Sequence, residues 1–172
     1  DRADRNVSLA YAASHGDLDL VKRLVEKGAD VAEGGNEAII AAVEYGHLDV
    51  VRFLSENGAD VAARDNSALI TAIQKKKHVD VVQWLAENGA DVTARGNEPI
   101  LWAVWKGNLR IVQCLVANGA NVTVRDNACI MNAALFGHLD CVKYLVENGA
   151  DVATRNNSPI IDAAGGGYLD VV

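Results

Sequence analysis

The sequence predicts an all-α helical repeat solenoid, and three observations predict it. One phrase, Gly-Ala-Asp-Val, stands at Gly28–Val31, Gly58–Val61, Gly89–Val92 and Gly149–Val152, and once as Gly119-Ala120-Asn121-Val122. An Asn marks each unit, at Asn6, Asn36, Asn66, Asn97, Asn127 and Asn157. Between these landmarks the apolar residues fall at helical spacing. The phrase recurs at steps of 30, 31, 30 and 30 residues, and a fixed period of this size signals stacked supersecondary units. The 172 residues therefore read as one domain of six repeats, 6–35, 36–65, 66–96, 97–126, 127–156 and an incomplete 157–172.

Each unit contains two short helices. The first is expected to begin near Ser158-Pro159 in the last copy, where Ser suits the cap and Pro the first helical position. Glu98-Pro99 and Ser67-Ala68 fill the same slot. Its core face carries one alanine per copy, at Ala12, Ala42, Ala72, Ala103, Ala133 and Ala163. Side chains this small let neighbouring helices approach closely. A tight turn follows at Gly16, Gly46, Gly107, Gly137 and Gly167. The second helix places apolar residues at i, i+3 and i+6, as in Leu48, Val51 and Leu54 or Leu139, Val142 and Leu145, which puts them on one face. It ends at the Gly of the phrase, in a left-handed conformation. Helices this short are marginal alone and need their neighbours.

These residues resemble the ankyrin repeat. Its Thr-Pro-Leu-His-x-Ala-Ala stretch is matched by Ser158-Pro159-Ile160-Ile161-Asp162-Ala163-Ala164, and its Gly-His-Leu and Val-x-x-Leu by Gly46-His47-Leu48 and Val51-Arg52-Phe53-Leu54. Its Gly-Ala-Asp-Val is matched by Gly58-Ala59-Asp60-Val61. The resemblance covers essentially the whole chain. It implies a solenoid whose partners are held on the concave helix face. Two departures stand out. The family period is about 33, and the missing residues fall between the phrase and the first helix, so the β-hairpins are expected to be shortened to loops. The family's His is replaced by Ile40, Ile70, Leu101, Met131 and Ile161, so hydrogen bonds made there must be lost or supplied otherwise. Short units with an Arg-x-Asn loop are similar to ankyrin repeats of giant viruses and protists. Asn hydroxylation, known in the family directly after the phrase, is not expected where Ala32, Ala62, Thr93, Thr123 and Ala153 stand.

Half the residues are hydrophobic but only 5% aromatic, so the core must be aliphatic. A net charge of -7 argues against nucleic acid, and no apolar run is long enough for a membrane span. Cys114, Cys129 and Cys141 are odd in number and set in apolar helical patterns, where a thiol behaves as a small hydrophobe. An intracellular, cytoplasmic setting follows.

No catalytic constellation is evident, and neither metal nor cofactor is expected. His47, His78 and His138 share one column of the repeat with Asp17, Asn108 and Tyr168. Equivalent positions on stacked helices lie about 8–10 Å apart, too far to share an ion, so the column is expected to satisfy the turn and the start of the second helix. His15 lies one residue out of it and is expected to be exposed. The Asp column, Asp19, Asp49, Asp80, Asp140 and Asp170, falls in the first turn of the second helix, where negative charge complements the helix dipole.

The remaining columns vary, and the binding surface is sought there. The predicted partner-binding residues are Tyr45, Gln74, Lys75, Trp102, Trp105, Lys106, Leu135 and Phe136. Aromatic side chains on a solvent face are the material of interface hot spots. Trp102 and Trp105 have a second reading, as packing between repeats in the space left by the missing His. Arg64, Arg95, Arg125 and Arg155 form a ladder that suits either an acidic or phosphorylated ligand or local pairing with Asp65, Asp126 and loop carbonyls. The run Gln74-Lys75-Lys76-Lys77-His78 lacks the turn Gly, and could steer an acidic partner or mark a bend in the stack.

The function expected is a protein–protein interaction scaffold without enzymatic activity. The alternative is a structural spacer or adaptor segment of a longer protein whose activity lies in another domain, since the chain lacks an initial Met and stops at Val172, inside the second helix of repeat six. A monomer is expected, with end-to-end self-association as the alternative.

Overall fold

The computed structural model describes residues 2–75 and 78–172. Among these, all regular structure is helical: α1 (Arg2–Ser14), α2 (Leu18–Glu26), α3 (Glu33–Tyr45), α4 (Leu48–Glu56), α5 (Ala63–Gln74), α6 (Val79–Glu87), α7 (Ala94–Trp105), α8 (Leu109–Ala117), α9 (Val124–Leu135), α10 (Leu139–Glu147) and α11 (Thr154–Gly165). Odd-numbered helices are the first of each repeat and even-numbered ones the second. The chain divides into two compact units, Asp1–Asp91 and Val92–Val172. In the first unit α1 packs on α3 and α3 on α5, with α2 on α4 and α4 on α6. In the second, α7 packs on α9 and α9 on α11, with α8 on α10.

Within each unit the alanine column lies at the seam between first helices: Ala12, Ala42 and Ala72 in the first and Ala103, Ala133 and Ala163 in the second are all at most 1% exposed. Behind it lie Leu54, Leu85, Leu115 and Leu145 of the second helices, wholly buried. The core is aliphatic, as the composition requires. Each second helix ends at the phrase glycine, as at Gly58 (φ 99), whose conformation lets the Ala59 N–H reach the Leu54 carbonyl at 3.0 Å. The Asn before that glycine adds its own bond, Asn57 Nδ2 donating to the Phe53 carbonyl at 2.8 Å.

No strand forms among the described residues, and the hairpins are indeed reduced. What replaces them is a single left-handed turn. Arg64, Asp65 and Asn66 have φ of 52, 53 and 60, and the same three positions at 95–97, 125–127 and 155–157 do likewise. The repeat at 34–36 uses Gly34-Gly35-Asn36 instead. Left-handed backbone costs an ordinary L-residue roughly 1–2 kcal/mol, so something must hold it. The Asn does so: Asn36, Asn66, Asn97 and Asn127 each accept at Oδ1 from the backbone N–H of residue 60, 91, 121 or 151 in the following phrase, at 2.6–2.9 Å, and Asn6, inside α1, makes the same bond to the Asp30 N–H at 2.8 Å. The phrase Asp in turn folds back, Asp60 Oδ1 accepting from the Ala62 N–H at 2.9 Å. Asn121 does the same for the Thr123 N–H, which explains why Asn substitutes there: both residues present an acceptor oxygen.

Two details differ from the sequence reading. Ser158 does not cap its helix; its hydroxyl donates to Asp162 Oδ2 at 3.0 Å. Residues 168–172 form a turn, with the Val171 N–H on the Tyr168 carbonyl, so Asp170 is not in a helical first turn.

Candidate functional site

The candidate site is built on the exposed side of α7 and α9 in the second unit. Trp102 and Trp105 are one turn apart on α7, and their rings meet edge to face, centroids 5.3 Å apart at 81°. Phe136, following α9, meets Trp105 in the same way at 6.2 Å and 89°. Trp105 is 42% exposed and Phe136 39%, with Leu135 beside them at 46%. The Lys106 ammonium lies over the Trp105 ring, 4.9 Å from its centroid, within cation–π range. Five of the eight sequence-predicted residues, Trp102, Trp105, Lys106, Leu135 and Phe136, thus belong to this group.

Trp102 is half-buried and lies lower in the site. Its Nε1 donates to Glu98 Oε1 at 3.0 Å, while Glu98 Oε2 is 3.7 Å from Arg95 Nη1. Glu98, Leu101, Trp102, Trp105, Arg125 and Asn132 line an open cleft of about 360 Å³. Of the other lining residues, Arg125 is the ladder rung that the sequence already offered to an acidic ligand, while Glu98, Leu101 and Asn132 are not among the predicted contacts. The signals for two of them were present: Glu98 is four residues before Trp102 on one helix, and Asn132 stands in the Trp102 column one repeat on.

The other three predicted residues are in the first unit. Tyr45, 59% exposed, stacks beside His47 at 6.5 Å. Gln74 and Lys75 are exposed, and the Lys75 ammonium meets Glu44 Oε1 at 2.9 Å. Lys76 and Lys77, and with them the expected bend, lie outside the described residues.

The histidine column has two chemistries. Asp17 and Asn108 cap their own second helices, accepting from the N–H of Leu20 and Ile111 at 2.9 and 3.3 Å. His47 and His138 instead bridge back to the preceding repeat, Nε2 to the carbonyls of Ser14 and Trp105 at 3.0 and 3.1 Å. Their rings occupy the space over Gly16 and Gly107. His138 therefore fixes the end of α7 directly beneath Trp105. His15 is exposed, bonded to the Tyr11 carbonyl. The arginine ladder ties successive loops together. Arg64 reaches the Gly34 carbonyl, Arg125 the Arg95 carbonyl at 3.2 Å, and Arg155 the Asp126 carboxylate at 3.5 Å.

Among the described residues, no cluster of three or more His, Cys, Asp or Glu could hold a metal ion. Burial pushes the Cys129 thiol up to about 12, and burial together with the Asp140 carboxylate pushes Cys141 up to about 11. Thiols held this firmly protonated are poor nucleophiles.

A family model for ankyrin repeats matches residues 3–65, 64–126 and 100–172, the whole described stack. The chain belongs to the ankyrin repeat family. A crystal structure of the human ASB11 ankyrin repeat domain is similar, with a TM-score of 0.81 and 27% identity over 95% of this chain and 79% of that one. No curated protein matches the sequence. Ankyrin repeats are in general protein–protein interaction modules and typically have no enzymatic activity. No described helix of this ankyrin stack is long and apolar enough to cross a membrane.

Proposed function

We propose that this ankyrin stack is a scaffold that captures a protein partner on the exposed side of its first helices, with Trp105, Phe136 and Leu135 as anchors. One observation carries the reading: Trp102, Trp105 and Phe136 meet edge to face in a row whose Trp105 and Phe136 rings are exposed to solvent. Rigid aromatic side chains already held in place lose little entropy on binding, and such residues dominate interface energetics. Tyr45, Gln74 and Lys75 provide a second contact group on the first unit. A spacer would gain nothing from an open aromatic row. The reading includes an intracellular setting, supported by three free thiols set in helices, Cys129 and Cys141 buried and Cys114 half-buried.

The test is capture of partners from cell extract by the wild-type chain and by the double variant Trp105→Ala, Phe136→Ala, with helicity monitored by circular dichroism. Loss of the captured protein with the fold retained supports the proposal. Capture unchanged by the double variant refutes it.

A further inference from the structure

The cleft between α7 and α9 has a chemistry that narrows what it can hold, and the inference rests on the scaffold reading above. Its floor is apolar: Leu101 and the rings of Trp102 and Trp105. Its one carboxylate, Glu98, is already engaged on both oxygens, by the Trp102 indole N–H and by Arg95. Its cation is not so engaged. Arg125 is exposed, and its described bond is to a neutral acceptor, the Arg95 carbonyl. A second positive charge, Lys106, lies over the Trp105 ring without lining the cleft. The local balance is therefore positive, although the whole chain carries -7. Asn132 adds a half-buried side-chain amide lining the cleft, for which no hydrogen bond is formed among the described residues. An amide offers a donor and an acceptor together, the complement of one peptide unit.

We propose that this cleft takes an extended acidic peptide segment of the partner. A large apolar side chain sits on Leu101, Trp102 and Trp105, the neighbouring peptide unit bonds the Asn132 amide, and an adjacent Asp or Glu pairs with Arg125. At about 360 Å³ the cleft is at the small end of the range for small-molecule sites, room for one Leu or Phe side chain. The arginine fork receives a carboxylate on two N–H groups, which a lysine would not. Charge complementarity sets the sign of the ligand, and the aromatic floor sets its apolar anchor.

Short Gly-Ser-framed peptides carrying Leu-Glu, Phe-Glu, Ala-Glu, Leu-Gln or Leu-Lys, each labelled with fluorescein, test this against the whole chain by anisotropy. Leu-Glu and Phe-Glu are expected to bind, with affinity falling as salt rises. Ala-Glu and Leu-Lys are expected not to bind. Arg125→Glu should weaken Leu-Glu by up to about fivefold, the upper end of what an exposed ion pair is worth, and should shift preference toward Leu-Lys. Arg125→Gln, which disturbs no core residue, gives the same direction for Leu-Glu if Trp102→Ala fails to fold. Preference of the wild-type chain for Leu-Lys, or binding indifferent to both Arg125 and Trp102, overturns the inference. So does sizing by ultracentrifugation that shows the cleft filled by a second copy in a Trp102-dependent dimer. If no peptide binds while partner capture still depends on Trp105 and Phe136, the acidic-peptide inference falls and the scaffold reading stands. If capture is also indifferent to those two residues, both fall.

Discussion

Asn36 accepts a hydrogen bond at Oδ1 from the backbone N–H of Asp60, 2.7 Å away and 24 residues along the chain, from a position only 7% exposed. This bond joins the loop that opens one repeat to the loop that closes it. It also holds Asn36 itself in the left-handed region, at φ 67. Two costs can therefore be separated by substitution. Asn36→Gly keeps the backbone freedom and removes the acceptor, leaving the Asp60 N–H unmatched, at a cost of about 1–3 kcal/mol. Asn36→Ala removes the acceptor and adds left-handed strain, a further cost of roughly 1 kcal/mol. Urea unfolding should rank wild type above Gly above Ala. Equal stability of the two variants would show that backbone strain contributes nothing at this site.

The turn glycines carry a double constraint. Gly107 has φ 67, and a Cβ there would lie 2.5 Å from His138 Nδ1. Gly107→Ala should then cost about 2–4 kcal/mol, combining left-handed strain with overpacking. Replacing His138 by Asn, the residue in the same column at Asn108, removes the ring. In the double variant the cost of the Ala should shrink toward the left-handed term alone. A double-mutant cycle reads that coupling directly; additive effects would mean the ring simply moves aside.

What the sequence made legible was whatever steric demand repeats without exception. The alanine column and the phrase glycine are of this kind, because a close helix contact or a positive φ admits few residues. The left-handed turns were not legible, since Arg64 has no preference for φ near 50 and Asp65, which tolerates it, is as common in ordinary loops. Nor was the task of Asn36, whose partner is known only once two loops meet. His47 had the same difficulty: in its column Asp17 serves its own helix, and only the structure shows the imidazole reaching the Ser14 carbonyl instead. In the candidate site the aromatic residues were found because they break the repeat. Arg125 was read as one rung among four, open to an acidic ligand or to local pairing, and its place at the cleft depends on how α9 lies against α7.

The Lys75–Glu44 pair, at 2.9 Å, is open to solvent on both sides, with side-chain exposures of 44% and 42%. Exposed pairs of this kind are worth about 0–1 kcal/mol. Lys75→Ala should therefore leave the melting temperature nearly unchanged, and Lys75→Glu, which places two carboxylates together, should lower it slightly. If the Tyr45 group contacts the partner, Lys75→Glu will reduce capture with little loss of stability. A large thermal shift would instead make Lys75 a structural residue.

The buried thiols should give the stack an alkaline limit. Cys129 rises from 9.0 to about 12 by burial, and Cys141 to about 11 by burial and then by the Asp140 charge. A folded-state value raised above the unfolded one means that the folded chain holds its protons more tightly. The resulting stability is complete below pH 9 and declines as pH climbs through 9 toward 11 and 12, at up to about 1.4 kcal/mol per pH unit for each thiol. The comparison is internal, wild type against variant at each pH. Urea unfolding of wild type and Cys129→Ala at pH 8, 9 and 10 should show a shallower pH slope in the variant, even though the variant is less stable at every pH. Thiol labelling at pH 8 gives the matching kinetic result. The half-buried Cys114 should react first, and Cys129 and Cys141 should react at the rate of local unfolding, slowing as the fold is stabilised. Fast labelling of Cys129 in the native state would contradict its burial at the seam of α9.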